Sequence, residues 1–384
     1  MYKSSLAVAV GIAMVGSVQA APAPSNGSNA DVLNVQNRCI VRLNDGIDKS
    51  EVKGVARGML AAAKAKGANG EIAYTYENSI KGFAVTMSCN AAQNAFGKHA
   101  DVLSMEPDGV VSISMGKPGG GDGGGSQSQV TPWSVTRVGG PVDGTGMTAW
   151  VLDTGIDSSH PDLNVDPSRG FSAFTKGKDA GTEDGDGHGT HVAGTIGAID
   201  NNIDVVGVAA GTTLIPVKVL DSRGSGTISG VIAGIDHVGA NASAGDCANM
   251  SLGGGFNQSL NDAVEAAAQN SGAFFVVAAG NDGSHASGFS PASASGNRVF
   301  TISAFDINDT MPSWSNFGNP PVDYSGPGVT ILSTRNGGGT TTLSGTSMAS
   351  PAACAVIMMR NGNPSTDGRV NGDQDNNPDS IIHL

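Results

Sequence analysis

The sequence predicts two folded units in tandem: a small α+β domain, then a larger α/β domain whose parallel sheet is covered by helices on both faces. Three observations carry this reading. From Gln129 onward, short apolar runs alternate with helical stretches, the pattern of strands buried on both sides. Ahead of them, residues 37–115 read strand, helix, strand, strand, helix, strand, which is a ferredoxin-like order. Between the two lies 116–128, a Gly-rich run that is a flexible linker by composition. A chain of 384 residues is long enough for one large and one small domain.

Taken in order, residues 1–20 read as a secretory signal peptide. Lys3 supplies the positive start, 6–18 the apolar stretch, and Val18-Gln19-Ala20 a small-residue cleavage site. The apolar stretch is short and interrupted by glycine, which disfavours a membrane span. Residues 21–36 form a polar spacer. In the small domain, 39–43, 71–76, 82–88 and 102–106 are expected strands, and 49–66 and 91–98 expected helices. Processing is expected in the linker, with a mature start between 116 and 129. In the large domain (129–363), 148–153, 214–220, 249–252, 274–278 and 299–304 are expected strands. The expected helices are 188–198, 228–239, 260–271 and 347–359. Residues 364–384 read as an acidic, solvated tail: Asp367, Asp373, Asp375 and Asp379 lack the glycine and terminal glutamate of an EF-hand loop.

Net charge is −13, and residues 128–384 alone carry 10 basic and 24 acidic side chains. An acidic larger half excludes nucleic acid as an expected partner, since phosphate binding needs clustered positive charge. Export implies an oxidising compartment for the four cysteines. Cys39 would start the first strand and Cys89 would end the third. With those strands expected to run parallel, a bridge between them is disfavoured by reach. Cys247 and Cys354 read as buried, either as free thiols or as a disulfide.

The chemistry rests on three motifs. Val151-Leu152-Asp153-Thr154-Gly155 ends an apolar strand with a carboxylate, and such strand ends face the crevice where parallel sheets bind ligands. Asp186-Gly187-His188-Gly189-Thr190-His191 puts an imidazole at a helix start between two glycines. Ser344-Gly345-Thr346-Ser347-Met348-Ala349 puts a hydroxyl at the start of an apolar helix. A serine hydroxyl needs a base, and the base needs a group to fix its tautomer. The reading is Ser347 as nucleophile, His188 as general base then acid, and Asp153 as the orienting carboxylate. The glycines of Ser251-Leu252-Gly253-Gly254-Gly255 expose backbone groups to which an extended peptide can add as a strand. His188 and His191, with Asp184 and Asp186 nearby, lack the glutamate of a His-Glu-x-x-His zinc motif, so metal catalysis is not expected.

The chain order Asp, His, Ser across these motifs resembles the subtilisin-like serine proteases, nearest their secreted, proteinase-K-like and subtilisin-like branch. The resemblance runs from about Cys39 to about Asn363. It implies a subtilisin-like fold and a secreted endopeptidase made as a precursor. The small domain (37–115) would be an inhibitor-like propeptide that assists folding and blocks the cleft. The resemblance also implies that Asn281, in Ala279-Gly280-Asn281-Asp282-Gly283, donates to the oxyanion together with the Ser347 N–H. Ser251, Leu252, Gly253 and Gly254, with Gly226 and Ile228 opposite, would flank the substrate strand. Ala278, Ala279 and Gly280 would help wall the pocket before the scissile bond. With no charge in these runs, an apolar, roomy pocket and broad specificity are expected.

The same resemblance implies structural Ca²⁺, since the run Asp200-Asn201-Asn202-Ile203-Asp204-Val205 is similar to a subtilisin calcium loop. Its oxygens would come from Gln129, Asp162 and Asn201 and from the carbonyls of Ile199, Ile203 and Val205. Six flexible oxygen ligands suit Ca²⁺ better than Mg²⁺. Asp323 would mark a weaker second cation site. His191 would pack structurally. After Pro351 the chain departs from the family pattern, with Ala352-Ala353-Cys354-Ala355, but alanine sustains a helix. The expected partners are peptide substrates and the chain's own propeptide, and the mature form is expected to be a monomer off the membrane.

Overall fold

The computed structural model describes residues 34–113 and 127–384. The expected signal peptide, and most of the expected spacer and linker, lie outside the described residues. No helix among the described residues is long and apolar enough to cross a membrane.

The small domain is a four-stranded antiparallel sheet in the order Ile72–Tyr76, Gly82–Val85, Cys39–Leu43, Val102–Pro107. Helices Val52–Lys64 and Cys89–Phe96 cover one face. The first buries Val52, Ala56, Met59, Leu60 and Ala63, one stripe at helical spacing, against the sheet. Ser88 caps the second by accepting from Ala91 N–H. The expectation for Cys39 and Cys89 is corrected. The strand Gly82–Val85 runs antiparallel to Cys39–Leu43, with Val85 opposite Cys39. The chain therefore leaves that strand beside Cys39, and a Cys39–Cys89 disulfide closes with a Cα–Cα distance of 4.9 Å.

The large domain is built on a nine-stranded sheet among the described residues. Its order is Ser365–Arg369, Ser380–His383, Val322–Pro327, Val299–Phe305, Phe274–Ala278, Cys247–Met250, Thr148–Asp153, Thr213–Lys218, Phe171–Ser172. All pairings are parallel except that of the first strand. Side chains alternate across the sheet. Trp150 and Leu152 face helices Ile228–Asn241 and Gln258–Ser271. Ala149 and Val151 face helices His188–Gly197 and Thr346–Met359. The Thr346–Met359 helix is buried from Thr346 to Met358, which explains its small and apolar sequence. Cys354 on that helix bridges Cys247 on the sheet, with Cα–Cα 5.9 Å, so neither is a free thiol.

The solvated-tail expectation is also corrected. Ser380–His383 adds in parallel to Val322–Pro327, with Ile381 opposite Ser325, and Ser365–Arg369 folds back antiparallel beside it. Ile381, Ile382 and Asp379 are fully buried, and Asp379 accepts from Ser303 Oγ at 2.6 Å. Arg137 clamps the returning chain by pairing with Asp309 at 2.8 Å and Asp367 at 3.1 Å. Two apolar residues in a polar run are too few for a periodicity signal, yet they cover a sheet edge. Ile381→Ala in an inactive Ser347→Ala precursor is expected to cost about 2–5 kcal/mol in denaturant unfolding; a solvated tail would show no change.

Candidate active site

Three neighbouring parallel strands, Thr148–Asp153, Cys247–Met250 and Phe274–Ala278, end at the same edge of the sheet. Their exits deliver Asp153, the run from Ser251 to Gly254, and Ala278, Ala279, Gly280 and Asn281 to one crevice, as parallel sheets do. The His188 helix docks closely there. A Cβ on Gly189 would sit 2.1 Å from the Gly155 carbonyl, so only glycine permits this approach. Asp153 is 0% exposed and His188 2%. The imidazole Nδ1 lies 2.8 Å and 3.0 Å from the two Asp153 carboxylate oxygens. Nε2 is buried and, among the described residues, has no hydrogen-bond partner.

Burial alone would push the His188 pKa down, but the charge and hydrogen bond of Asp153, with help from Asp186 and Asp184, outweigh it and hold the pKa above the ordinary value. His191 differs. It is fully buried, its Nε2 donates to the Ile331 carbonyl at 3.0 Å, and burial pushes its pKa down to about 3, so it packs as a neutral ring.

Ser347 sits in the first turn of helix Thr346–Met359, which packs against the His188 helix. Its hydroxyl donates to the Ser251 carbonyl at 3.1 Å. Pro351, one turn on, has no N–H to give the Ser347 carbonyl. The Ser251 hydroxyl fills that place at 2.8 Å. Asn249 donates in turn to Ser251 Oγ and accepts from Ser350 Oγ. The Asn281 carboxamide oxygen accepts from both the N–H and the hydroxyl of Thr346, each at 2.9 Å. That fixes the amide's orientation, with its donor end facing away from Thr346. Sequence reasoning missed Asn249, Ser350 and Thr346 because each acts through a neighbour; the hydroxyl and amide next to motif residues were the only signal.

The cleft carries an unforeseen strand. Val110–Ile113, from the end of the small domain, lies between Ser225–Thr227 and Leu252–Gly255 and is antiparallel to both. Gly226 faces Val111, and Leu252 and Gly253 face Ile113 and Ser112. A Cβ on Gly254 would meet the Val110 carbonyl at 2.7 Å, so this glycine makes room for the inserted backbone. Val111 is buried in the core cluster that holds Ile228 and Leu252. The run is short and follows a turn, which hid it from a periodicity reading.

A model of the Subtilase family, peptidase S8, matches residues 144–369. The chain belongs to the subtilase family. It is 39% identical over 292 residues to the alkaline serine protease ver112 of Corniculantispora psalliotae, covering 72% of this chain and 70% of that one. It is 36% identical over 356 residues to proteinase R of Parengyodontium album, covering 88% and 82%. The crystal structure of a cold adapted subtilisin-like serine proteinase superposes with a TM-score of 0.57 at 34% identity, covering 65% of this chain and 97% of that one. This subtilase is a subtilisin-like serine endopeptidase.

The residues expected to hold calcium gather in the subtilase around one loop. Gln129 Oε1 accepts from Asn201 N–H at 2.7 Å, and Asn201 Nδ2 donates to Asp162 at 2.7 Å. Bridges Ser128 to Ile203 and Val130 to Val205 zip the chain onto the loop, and Ile199 N–H donates to the Asp162 carbonyl. Asp162 is fully buried, burial pushes its pKa up to about 6, and no basic side chain pairs with it among the described residues. Its other carboxylate oxygen accepts from Val205 N–H at 3.2 Å, so the buried carboxylate is hydrogen-bonded but lacks a counter-charge, which a hard cation would supply. Among the described residues no three carboxylate, His or Cys side chains gather for a metal, so this site would draw mainly on amide and carbonyl oxygens. Asp323 accepts from Thr301 N–H at 2.8 Å and lines a cavity of about 310 Å³ with Ser293, Pro320 and Pro321.

The raised His188 pKa sets a pH dependence. The expected role of His188 as general base requires the neutral ring, so on that reading kcat/KM should rise with pH through a limb above the ordinary histidine value of about 6.5. Asp153→Asn should move that limb to lower pH and reduce kcat by about 10²–10⁴-fold; an unmoved limb would count against the assignment.

Proposed function

We propose that this subtilase is a secreted endopeptidase, made as an inactive precursor that cleaves itself. The mature monomer would hydrolyse peptide bonds with broad specificity and a preference for an apolar residue before the scissile bond. The single observation that carries the reading is the chain's own strand Val110–Ile113 lying between the two glycine-bearing edges beside Asp153 and His188. It occupies the place of a peptide substrate added as a strand. The small domain then serves as inhibitor and folding aid, and its release opens the cleft. The absence of charge from Ser251 to Gly254 and from Ala278 to Gly280 supports the apolar preference. The N-terminal sequence and the two disulfides support secretion.

The chemistry follows from the groups in the crevice. Ser347 Oγ attacks the scissile carbonyl carbon as its proton passes to His188 Nε2. Asp153 holds Nδ1–H and stabilises the imidazolium. The Asn281 amide and the Ser347 N–H donate to the developing oxyanion. The C–N bond breaks as His188 returns the proton to the leaving amine. Water then adds to the acyl ester by the same route in reverse order, releasing the acid and restoring Ser347. Substitution Ser347→Ala should leave the precursor uncleaved and casein intact; continued self-cleavage would refute the scheme.

Ca²⁺ at Gln129, Asp162, Asn201 and the carbonyls of Ile199, Ile203 and Val205 is proposed to be structural, with Asp323 as a weaker second cation site. The cation supplies charge for Asp162 and ties the segment after the linker to the loop. A chelator should lower the unfolding midpoint of the mature enzyme, and Asp162→Asn should abolish that response. An unchanged midpoint would remove the calcium claim.

A further inference from the structure

We propose that Asp184 is the positioning residue of this active site: one carboxylate that holds the end of the Asp153 strand and the first turn of the His188 helix in a single frame. This rests on the reading of Asp153, His188 and Ser347 as the reacting groups. Asp184 Oδ1 accepts from Thr154 Oγ1 at 2.8 Å, Asp186 N–H at 3.0 Å and Gly187 N–H at 2.9 Å. Oδ2 accepts from Thr190 N–H at 2.9 Å and Thr190 Oγ1 at 2.6 Å. The two hydroxyls pass the connection on. Thr154 Oγ1 accepts from Gly189 N–H at 2.9 Å, and Thr190 Oγ1 accepts from Asp157 N–H at 3.0 Å. Residues on both sides of His188 are thereby tied to residues that follow Asp153.

An ordinary helix cap would not do this. The cap position is Gly187, at φ 112°, a conformation suited to glycine and without a side chain to cap the helix. Asp184 supplies the missing acceptor from outside the helix. Its bond to Thr154 reaches beyond the helix to the strand that carries Asp153. A displacement of about 1 Å between reacting groups can cost about 10²-fold in rate, so a tie that sets this spacing is a lever on kcat.

The carboxylate also acts through charge. The groups acting on His188 are Asp153 at Nδ1, Asp184 and Asp186 on the preceding loop, and neutral His191 one turn along the helix; Lys218 lies on the strand beside Asp153. Lys218 donates to the Glu183 carbonyl at 2.7 Å. No lysine or arginine pairs with Asp184 among the described residues. Its negative charge therefore favours the imidazolium, along with Asp153 and Asp186.

The test compares Asp184→Asn, Thr154→Val and Thr154→Ser with the unaltered chain and with Ser347→Ala. Self-cleavage of each precursor is followed, then kcat per fluorophosphonate-titrated site, KM and the pH profile. Asp184→Asn should lower kcat by about 10–100-fold, leave KM nearly unchanged and move the acid limb to lower pH. Thr154→Val should lower kcat without moving the limb, and Thr154→Ser should restore it. Unchanged kcat and acid limb in Asp184→Asn, with only a lower unfolding midpoint, would overturn the proposal. If Asp184→Asn does not fold, unchanged kcat in Thr154→Val would overturn it. Self-cleavage by Ser347→Ala would instead refute the underlying assignment. An inert Ser347→Ala alongside an unaffected Thr154→Val would refute the positioning role alone.

Discussion

A buried carboxylate facing a buried imidazole is the interaction that the rest of this structure accommodates. Removing such a pair from water costs several kcal/mol per charge unless further hydrogen bonds compensate. Asp153 accepts from Thr154 N–H at 2.7 Å as well as from His188. It stands at the end of a strand flanked on both sides by other strands, so neither oxygen meets bulk water. The left-handed Gly187, the close-packed Gly189 and the fully buried helix Thr346–Met359 are the conditions under which that pair and Ser347 share one crevice.

The same logic explains how the small domain sits on the large one. The helices Ile228–Asn241 and Gln258–Ser271 present their N-termini, each with unpaired N–H groups. Asp108 accepts from Ser229 N–H and Glu106 accepts from Ser259 N–H, so two acidic side chains of the small domain meet two positive helix ends. In the other direction, Asp236 accepts from the N–H groups of Glu77, Asn78 and Ser79. Between these anchors, Val110–Ile113 is held in the cleft by backbone pairing and by the buried Val111 side chain. Ile40, Tyr76, Ile80, Ala84 and Val111 of the small domain also join the core cluster of the large domain, so apolar burial holds the two together along with charge and backbone pairing, while the edges on either side of the inserted strand stay glycine-rich.

Much of the architecture was legible. The strand Thr148–Asp153 and the helices that begin near His188, Ile228 and Ser347 emerged from apolar runs and glycine punctuation, because strands buried on both faces leave little room for polar residues. Other parts were illegible for physical reasons. The Cys39–Cys89 bridge depended on strand direction, which composition does not encode. The closing strand Ser380–His383 depends on two isoleucines in a polar run, and its role exists only because a sheet edge needs cover. Within the site, the motif residues stood out, whereas Thr346, Asn249 and Asp184 become visible only through the neighbours that they hold.

The claim that a buried base activates Ser347 is tested most directly by stoichiometric labelling of the mature enzyme with a fluorophosphonate, followed by peptide mapping. The account predicts one equivalent of label, located on Ser347, and its loss when His188→Ala is made in protein matured by added wild-type enzyme. Label on another residue, or undiminished labelling of Ser347 without the imidazole, would contradict it.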